Sequence, residues 1–172
     1  VQNRLKDPRL EEARFWMAES YFQAEDYRQA AEAYELFNRT YPASKRSAQA
    51  YYGLGWCMVK LGEYAFAAQA FENVIQRKEQ NPEMMQDVNV QLGECYFALN
   101  NFPAAARAYR AVIRQATDTA LIAYARYRLA QCGTYIETPT EALAEYLDFL
   151  AAFPYSPYAD DAMYDIGMIL FR

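Results

Sequence analysis

Five small residues recur through this chain at nearly constant spacing: Ala18 in FWMAESY, Gly55 in YGLGWCM, Gly93 in VQLGECY, Ala130 in YRLAQCG and Gly167 in YDIGMIL. The intervals are 37, 38, 37 and 37 residues. A second series runs in phase with the first. Ala30, Ala67, Ala105 and Ala142 each lie twelve residues after a small residue, and each is followed four positions later by an aromatic: Tyr34, Phe71, Tyr109 or Tyr146. Short polar breaks, AED, LGE and LNN, separate the two series and precede Tyr27, Tyr64 and Phe102; the fourth break, TYIETPT, has Pro139 where the aromatic should be. A chain bound to one spacing four times over is a repeat array, and each unit has room for a helix, a tight turn and a second helix.

The local chemistry agrees with helices. Ala is dense and often paired, Gly is scarce, and alternating strand patterns are hard to find. The small residues mark where two helices must approach closely, and the aromatics three or four positions away fill the space around them. Burying each aromatic or Leu contributes about 1.5–3 kcal/mol, so the pattern amounts to a core. The units also start alike: Asp7-Pro8, Asn81-Pro82 and Ser156-Pro157 each pair a capping side chain with a proline suited to a first helical turn. Ser44 is expected to cap the second unit without a proline.

These features resemble the tetratricopeptide repeat, W-x2-L-G-x2-Y…A-x3-F…P, over essentially the whole chain. The period departs from the family's, about 37 rather than about 34. The resemblance implies an all-α fold, a right-handed α–α superhelix or solenoid. Its units are expected at 7–43, 44–80, 81–117 and 118–155, with the first helix of a fifth at 156–172. The linkers YPASK…AYYGLG and FPYSP…AMYDIG further resemble a bacterial envelope subfamily. It includes the outer-membrane assembly lipoprotein and the Tol–Pal-associated cell-division coordinator. The linkers EQNPE and ATDTA lack its aromatic-Pro pair. Residues 1–6 fit the tail of a preceding second helix, and the chain stops before the fifth unit's second helix. A segment of a longer array is therefore expected, with apolar ends around Ile166, Ile169 and Leu170 capable of self-association.

Several function classes are disfavoured. The net charge of −5 does not suit a nucleic-acid binder, which needs a basic surface. No apolar run approaches the roughly 20 residues of a membrane-spanning helix. Cys57, Cys95 and Cys132 each lie two residues after a small anchor. Equivalent places on stacked helices are about 8–10 Å apart, beyond the ~7 Å limit of a disulfide and too far to share a metal. They read as packing positions. With no His in the chain, neither a metal centre nor a Ser/Cys–His nucleophile is supported, and no cofactor is implied. Glu19-Ser20 matches part of the catalytic step of lytic transglycosylases, but the rest of that motif is missing and Glu94 holds the equivalent repeat place. The chain is not expected to be an enzyme.

One stripe does suggest function. Residues three before each anchor, and one and four after it, point away from the partner helix. In the family it resembles, that stripe lines the concave groove. It includes Phe15, Glu19 and Phe22; Tyr52 and Trp56; Glu94 and Phe97; Tyr127 and Gln131; and Tyr164, with the acids Glu12, Asp87 and Asp161 nearby. Aromatics at such density suit a binding face, although the tyrosines before each Leu-Gly step also suit packing between neighbouring helices. The Lys/Asn carboxylate clamp of co-chaperone repeats is absent. The expected function is a non-catalytic protein–protein interaction scaffold. A peptide or partner helix carrying Lys or Arg would bind in an aromatic, mildly acidic groove. Alternatives are a polysaccharide-export or glycan-binding scaffold, for which Gln23, Gln131 and Arg172 are sparse polar support, and a passive arm of a larger envelope enzyme. The resemblance implies a periplasmic or outer-membrane-associated location. Three cysteines placed where they cannot bond one another argue for a reducing compartment such as the cytoplasm.

Overall fold

The computed structural model describes residues 8–78, 81–136 and 138–171. The expected cap at Asp7, the helix tail at 1–6 and Arg172 lie outside these. Among the described residues there are nine helices and no strand: α1 (Pro8–Gln23), α2 (Tyr27–Thr40), α3 (Ser47–Lys60), α4 (Tyr64–Gln76), α5 (Pro82–Ala98), α6 (Phe102–Gln115), α7 (Thr119–Ile136), α8 (Pro139–Ala152) and α9 (Ala159–Leu170). They form two compact units, one ending at Val88 and one beginning at Asn89, so α5 contributes to both.

The three polar breaks fold identically, for a local reason. Each places its middle residue in the left-handed region: Glu25 at φ 59°, Gly62 at 77° and Asn100 at 56°. In each, the following amide reaches back to the last turn, Asp26 N–H to Tyr21 C=O, Glu63 to Met58 and Asn101 to Tyr96, at 2.8–3.0 Å. This is the helix-ending motif in which a left-handed residue turns the chain while satisfying otherwise orphaned carbonyls. The next helix then begins under a side-chain cap at two of the three. Asp26 accepts from Gln29 N–H and Asn101 from Ala104 N–H. The fourth break uses a capping box, Thr138 with Glu141, and Pro139 opens α8.

The Asn-Pro start is a cap: Asn81 accepts from the amides of Glu83 and Met84. The two serine starts are not. Ser44 accepts from Arg46 N–H and donates to Glu11, and Ser156 accepts from Tyr158 N–H. Helices α3 and α9 begin only at Ser47 and Ala159, with no side-chain cap. Each serine instead accepts from the amide two residues on, a local turn that competes with a helix cap.

Close approach at the small residues is direct. A Cβ on Gly55 would lie 2.6 Å from the Phe71 ring, and one on Gly93 would lie 2.4 Å from the Tyr109 ring. Gly53 makes a second such place, 2.5 Å from Tyr34. In the first unit α1, α2, α3 and α4 pack in succession, around Phe15, Tyr34 and Phe37. In the second, α6 through α9 do the same, with cores at Tyr109 and Val112 and at Tyr146 and Phe149. Cys57, Cys95 and Cys132 are all buried.

Candidate functional site

In the first three repeats the second helix supplies an aromatic at the fourth position after its Ala, and that aromatic meets the residue just after the small anchor. In the first repeat the pair is Tyr34 and Glu19: the phenol donates to the carboxylate at 2.6 Å. In the third it is Tyr109 and Glu94, also at 2.6 Å and also fifteen residues apart. In the second repeat both partners change together, and Trp56 meets Phe71 edge-on with ring centroids 6.4 Å apart. A polar residue at the first-helix place is thus answered by a hydroxyl, and an apolar ring by a ring without one. Burial, followed by the bond to Glu19, pushes the Tyr34 phenol far above its usual pKa, so it stays a donor at any physiological pH.

In the first unit this pair stands at the base of an open cleft of about 330 Å³ between α1 and α3. Glu19, Phe22 and Tyr52 line it. Phe15 lines it too but is only 4% exposed, set edge-on against Phe37 at 5.6 Å, so it is mainly core. The exposed aromatic here is its neighbour Trp16, 51% exposed. Arg46 stacks over both rings, 5.0 Å from Phe15 and 5.4 Å from Trp16, and its guanidinium lies 3.4 Å from Glu12. Met84 completes the wall. Glu19 has no basic partner among the described residues. Beside the cleft, Asp87 accepts from Tyr52 at 2.8 Å and from the Trp56 indole at 3.2 Å, again with no cation among the described residues. Trp56 is half-buried by these contacts.

The second unit fills the corresponding place. Arg128, two residues before its anchor, forks onto Glu94 with Nη2–Oε2 2.8 Å and Nε–Oε1 3.0 Å. Its plane lies 4.0 Å from the Phe97 centroid. Burial opposes the charge on Arg128, yet the oxygens of Tyr109 and Glu94 outweigh it and raise its pKa further. Tyr124 adds another hydroxyl to Glu94. The chain of bonds continues from Arg128 to Gln131 at 2.7 Å and from Gln131 to Tyr127 at 2.7 Å. It ends at Asp165, which accepts from Tyr127 at 3.2 Å and Tyr146 at 3.0 Å. Glu94, Phe97, Tyr127 and Gln131 are therefore brought together as one polar network, with Tyr127 buried. Tyr164 stands apart, 69% exposed on α9. Flanking Asp161 is exposed on the same helix.

Sequence reading missed Trp16, Arg128 and Asp165. The signal was present: Trp16, Gly53, Arg128 and Asp165 all lie two residues before an anchor. That place in one repeat faces the place one after the anchor in the repeat before it. Glu19 faces Gly53, which has no side chain, Glu94 faces Arg128, and Gln131 faces Asp165, its amide 3.4 Å away. Among the described residues no group of three or more potential ligands could hold a metal ion, and no helix is long and apolar enough to cross a membrane.

Comparison with known proteins places this architecture. A family model described as anaphase-promoting complex, cyclosome, subunit 3 matches residues 3–74, and one described as tetratricopeptide repeat matches residues 62–131. YrrB, described as a TPR protein with an unusual peptide-binding site, superposes with a TM-score of 0.68 at 20% identity, covering 91% of this chain and 74% of its own. MamA from Desulfovibrio magneticus RS-1 gives 0.68 at 16%, covering 92% and 82%. A tetratricopeptide repeat protein from Parabacteroides merdae gives 0.71 at 14%, covering 92% and 59%. A search of curated proteins finds no match. The class is an all-α helical-repeat protein. Over residues 62–131 the chain is, more specifically, similar to the tetratricopeptide repeat family.

Proposed function

We propose that this chain is a non-catalytic interaction scaffold. In this reading the first-unit cleft binds an extended peptide or a partner helix carrying Lys or Arg beside an apolar residue. One observation carries it: Glu19 sits at the base of an open cleft opposite a glycine, held by Tyr34 but without a cation among the described residues, while Trp16 stands exposed at the rim. A lysine or arginine would complete the carboxylate, and Trp16 and Phe22 would take the apolar neighbour and stack on the charge. Phe15, Tyr34 and Tyr52 support this surface from below. In the second unit Glu94, Phe97 and Gln131 are engaged with Arg128, so they belong to the site as its structural counterpart. The linker resemblance favours a role in bacterial envelope assembly, and an epitope-tagged chain followed through cell fractionation tests that part separately.

The test of the cleft is selection of peptides from a displayed random library on the folded chain, repeated on Trp16→Ala/Glu19→Gln. Enrichment of Lys or Arg next to Leu, Met or an aromatic, lost on the double variant, is the expected result. Enrichment of the same peptides on both proteins, or of acidic sequences on this cleft, contradicts the proposal.

A further inference from the structure

The two units carry a second, equivalent pair of clefts on another face, and these differ in charge. In the first unit a cleft between α2 and α4 has Leu54 on its floor and Glu35 and Tyr51 on its walls. In the second unit a cleft of about 250 Å³ between α6 and α8 has Leu129 on its floor and Arg110 and Arg126 on its walls. Register makes the exchange plain. Glu35 and Arg110 both lie seventeen residues after their anchors, Tyr51 and Arg126 both four before, and Leu54 and Leu129 both one before. A third guanidinium, Arg114, and the side chain of Ile113 join the second-unit cleft, with Phe149 buried beneath and, among the described residues, a single carboxylate, Glu145, on the α8 side.

Three of the chain's seventeen basic residues thus converge on one small apolar cleft in a protein of net charge −5. Among the described residues none of the three has a carboxylate within ion-pair distance. Arginines serving only solubility would be spread over the surface or paired along their own helix; α6 has Arg107, Arg110 and Arg114 and no acid at all. Like charges lining one small cleft repel one another, and an anionic partner relieves that repulsion. The guanidinium fork also matches a carboxylate in two-point geometry, while Ile113 and Leu129 offer an apolar seat between the charges.

We infer that the α6–α8 cleft docks an acidic segment of another protein, one that presents Asp or Glu on either side of an apolar anchor. This surface is separate from the first-unit cleft and has the opposite charge preference, so one chain can hold a basic and an acidic partner segment together. Electrostatic attraction speeds the encounter and selects the sign of the partner, and the apolar seat holds it.

The probe is a fluorescein-labelled twelve-residue peptide of Glu and Asp around one Leu-Leu pair, with a Gln-for-acid version and an acid-only version as controls. Fluorescence anisotropy at low and at physiological salt is the readout. Saturable binding of the acidic–apolar peptide is expected, weakened at least tenfold by Arg110→Glu/Arg126→Glu and several-fold by the neutral Arg110→Gln/Arg126→Gln. Glu19→Gln should leave it unchanged. Helicity and Tm of each variant, and amide shifts on adding peptide, expected at Ile113 and Leu129, separate lost binding from lost folding. Equal binding by the charge-reversed variant, shifts confined to other residues, or equal affinity for the Gln version would overturn the proposal. Sedimentation showing that Arg110 and Arg126 instead mediate association of two copies of this chain would also overturn it.

Discussion

Glu19 and Glu94 occupy the same place in two repeats, receive a hydroxyl from the same partner position, and end in different electrostatic states. Glu94 is closed off by Arg128, whose side chain is only 15% exposed. Glu19 faces Gly53 and keeps an open cleft. Tyr34 packs directly on Gly53 and still donates to Glu19, so what the glycine removes is the cation and not the phenol. One substitution at one repeat place therefore separates a structural ion pair from a candidate binding site. The scaffold is shared, and function enters where the scaffold's own partner is left out.

The largest expected effect comes from removing that partner. Arg128→Ala leaves Glu94 without its cation. Breaking a buried pair costs about 3–5 kcal/mol. Glu94 keeps 35% exposure, so the loss should fall near the lower end, about 3 kcal/mol, read as a lowered urea midpoint. No loss of stability would mean that the pair is incidental. The glycines come next, and they should differ in sign. Gly93→Ala and Gly53→Ala push a methyl into Tyr109 and Tyr34 and should cost about 1–3 kcal/mol. Gly167 has nothing within 4 Å of its added Cβ among the described residues, so Gly167→Ala should raise stability by up to about 1 kcal/mol through helix propensity. Equal effects at all three would break the account of close approach.

The smallest contrast is between two thiols. Burial, with a smaller contribution from Glu19, pushes Cys57 up to about 12, and burial followed by Glu94 pushes Cys95 up to about 11. A raised pKa in the folded state means that the neutral thiol is the favoured form there. Its contribution to stability is complete below the unfolded value of 9.0 and is lost as pH rises through 11 and then 12. Both thiols should resist iodoacetamide in the native protein at pH 8 and react on unfolding. Rapid native labelling of either would show that its helix packing opens.

Much of the scaffold could be read from the chain. The 37-residue phase located the helices, and the small anchors located the close approaches that Gly55 and Gly93 make. Asn81 could be recognised as a cap because its proline sits at the first helical position. Ser44 and Ser156 do not cap because each lies three residues upstream of its helix and bonds within its own turn, and only the backbone path decides between the two. The site was less legible. Phe15 and Phe22 share one stripe, yet Phe15 is covered by Trp16 and Arg46 and Phe22 is not, which depends on the next repeat. Arg128 escaped because its role exists only once one repeat's residue after the anchor is paired with the next repeat's residue two before it. Periodicity within a repeat is visible in sequence; pairing between repeats needs the packing.

The most direct test of the comparison is a titration of wild type, Glu19→Gln and Arg128→Ala with one fluorescent peptide that sets Lys beside Leu and Phe. Wild type is expected to bind a single equivalent, and Glu19→Gln to weaken it about tenfold, the loss of about 1.4 kcal/mol. Arg128→Ala, with Glu94 freed, is expected to gain a second site. Binding that ignores Glu19, together with no second site in Arg128→Ala, would contradict the claim that an unpartnered glutamate opposite a missing side chain is what makes this repeat surface a receptor.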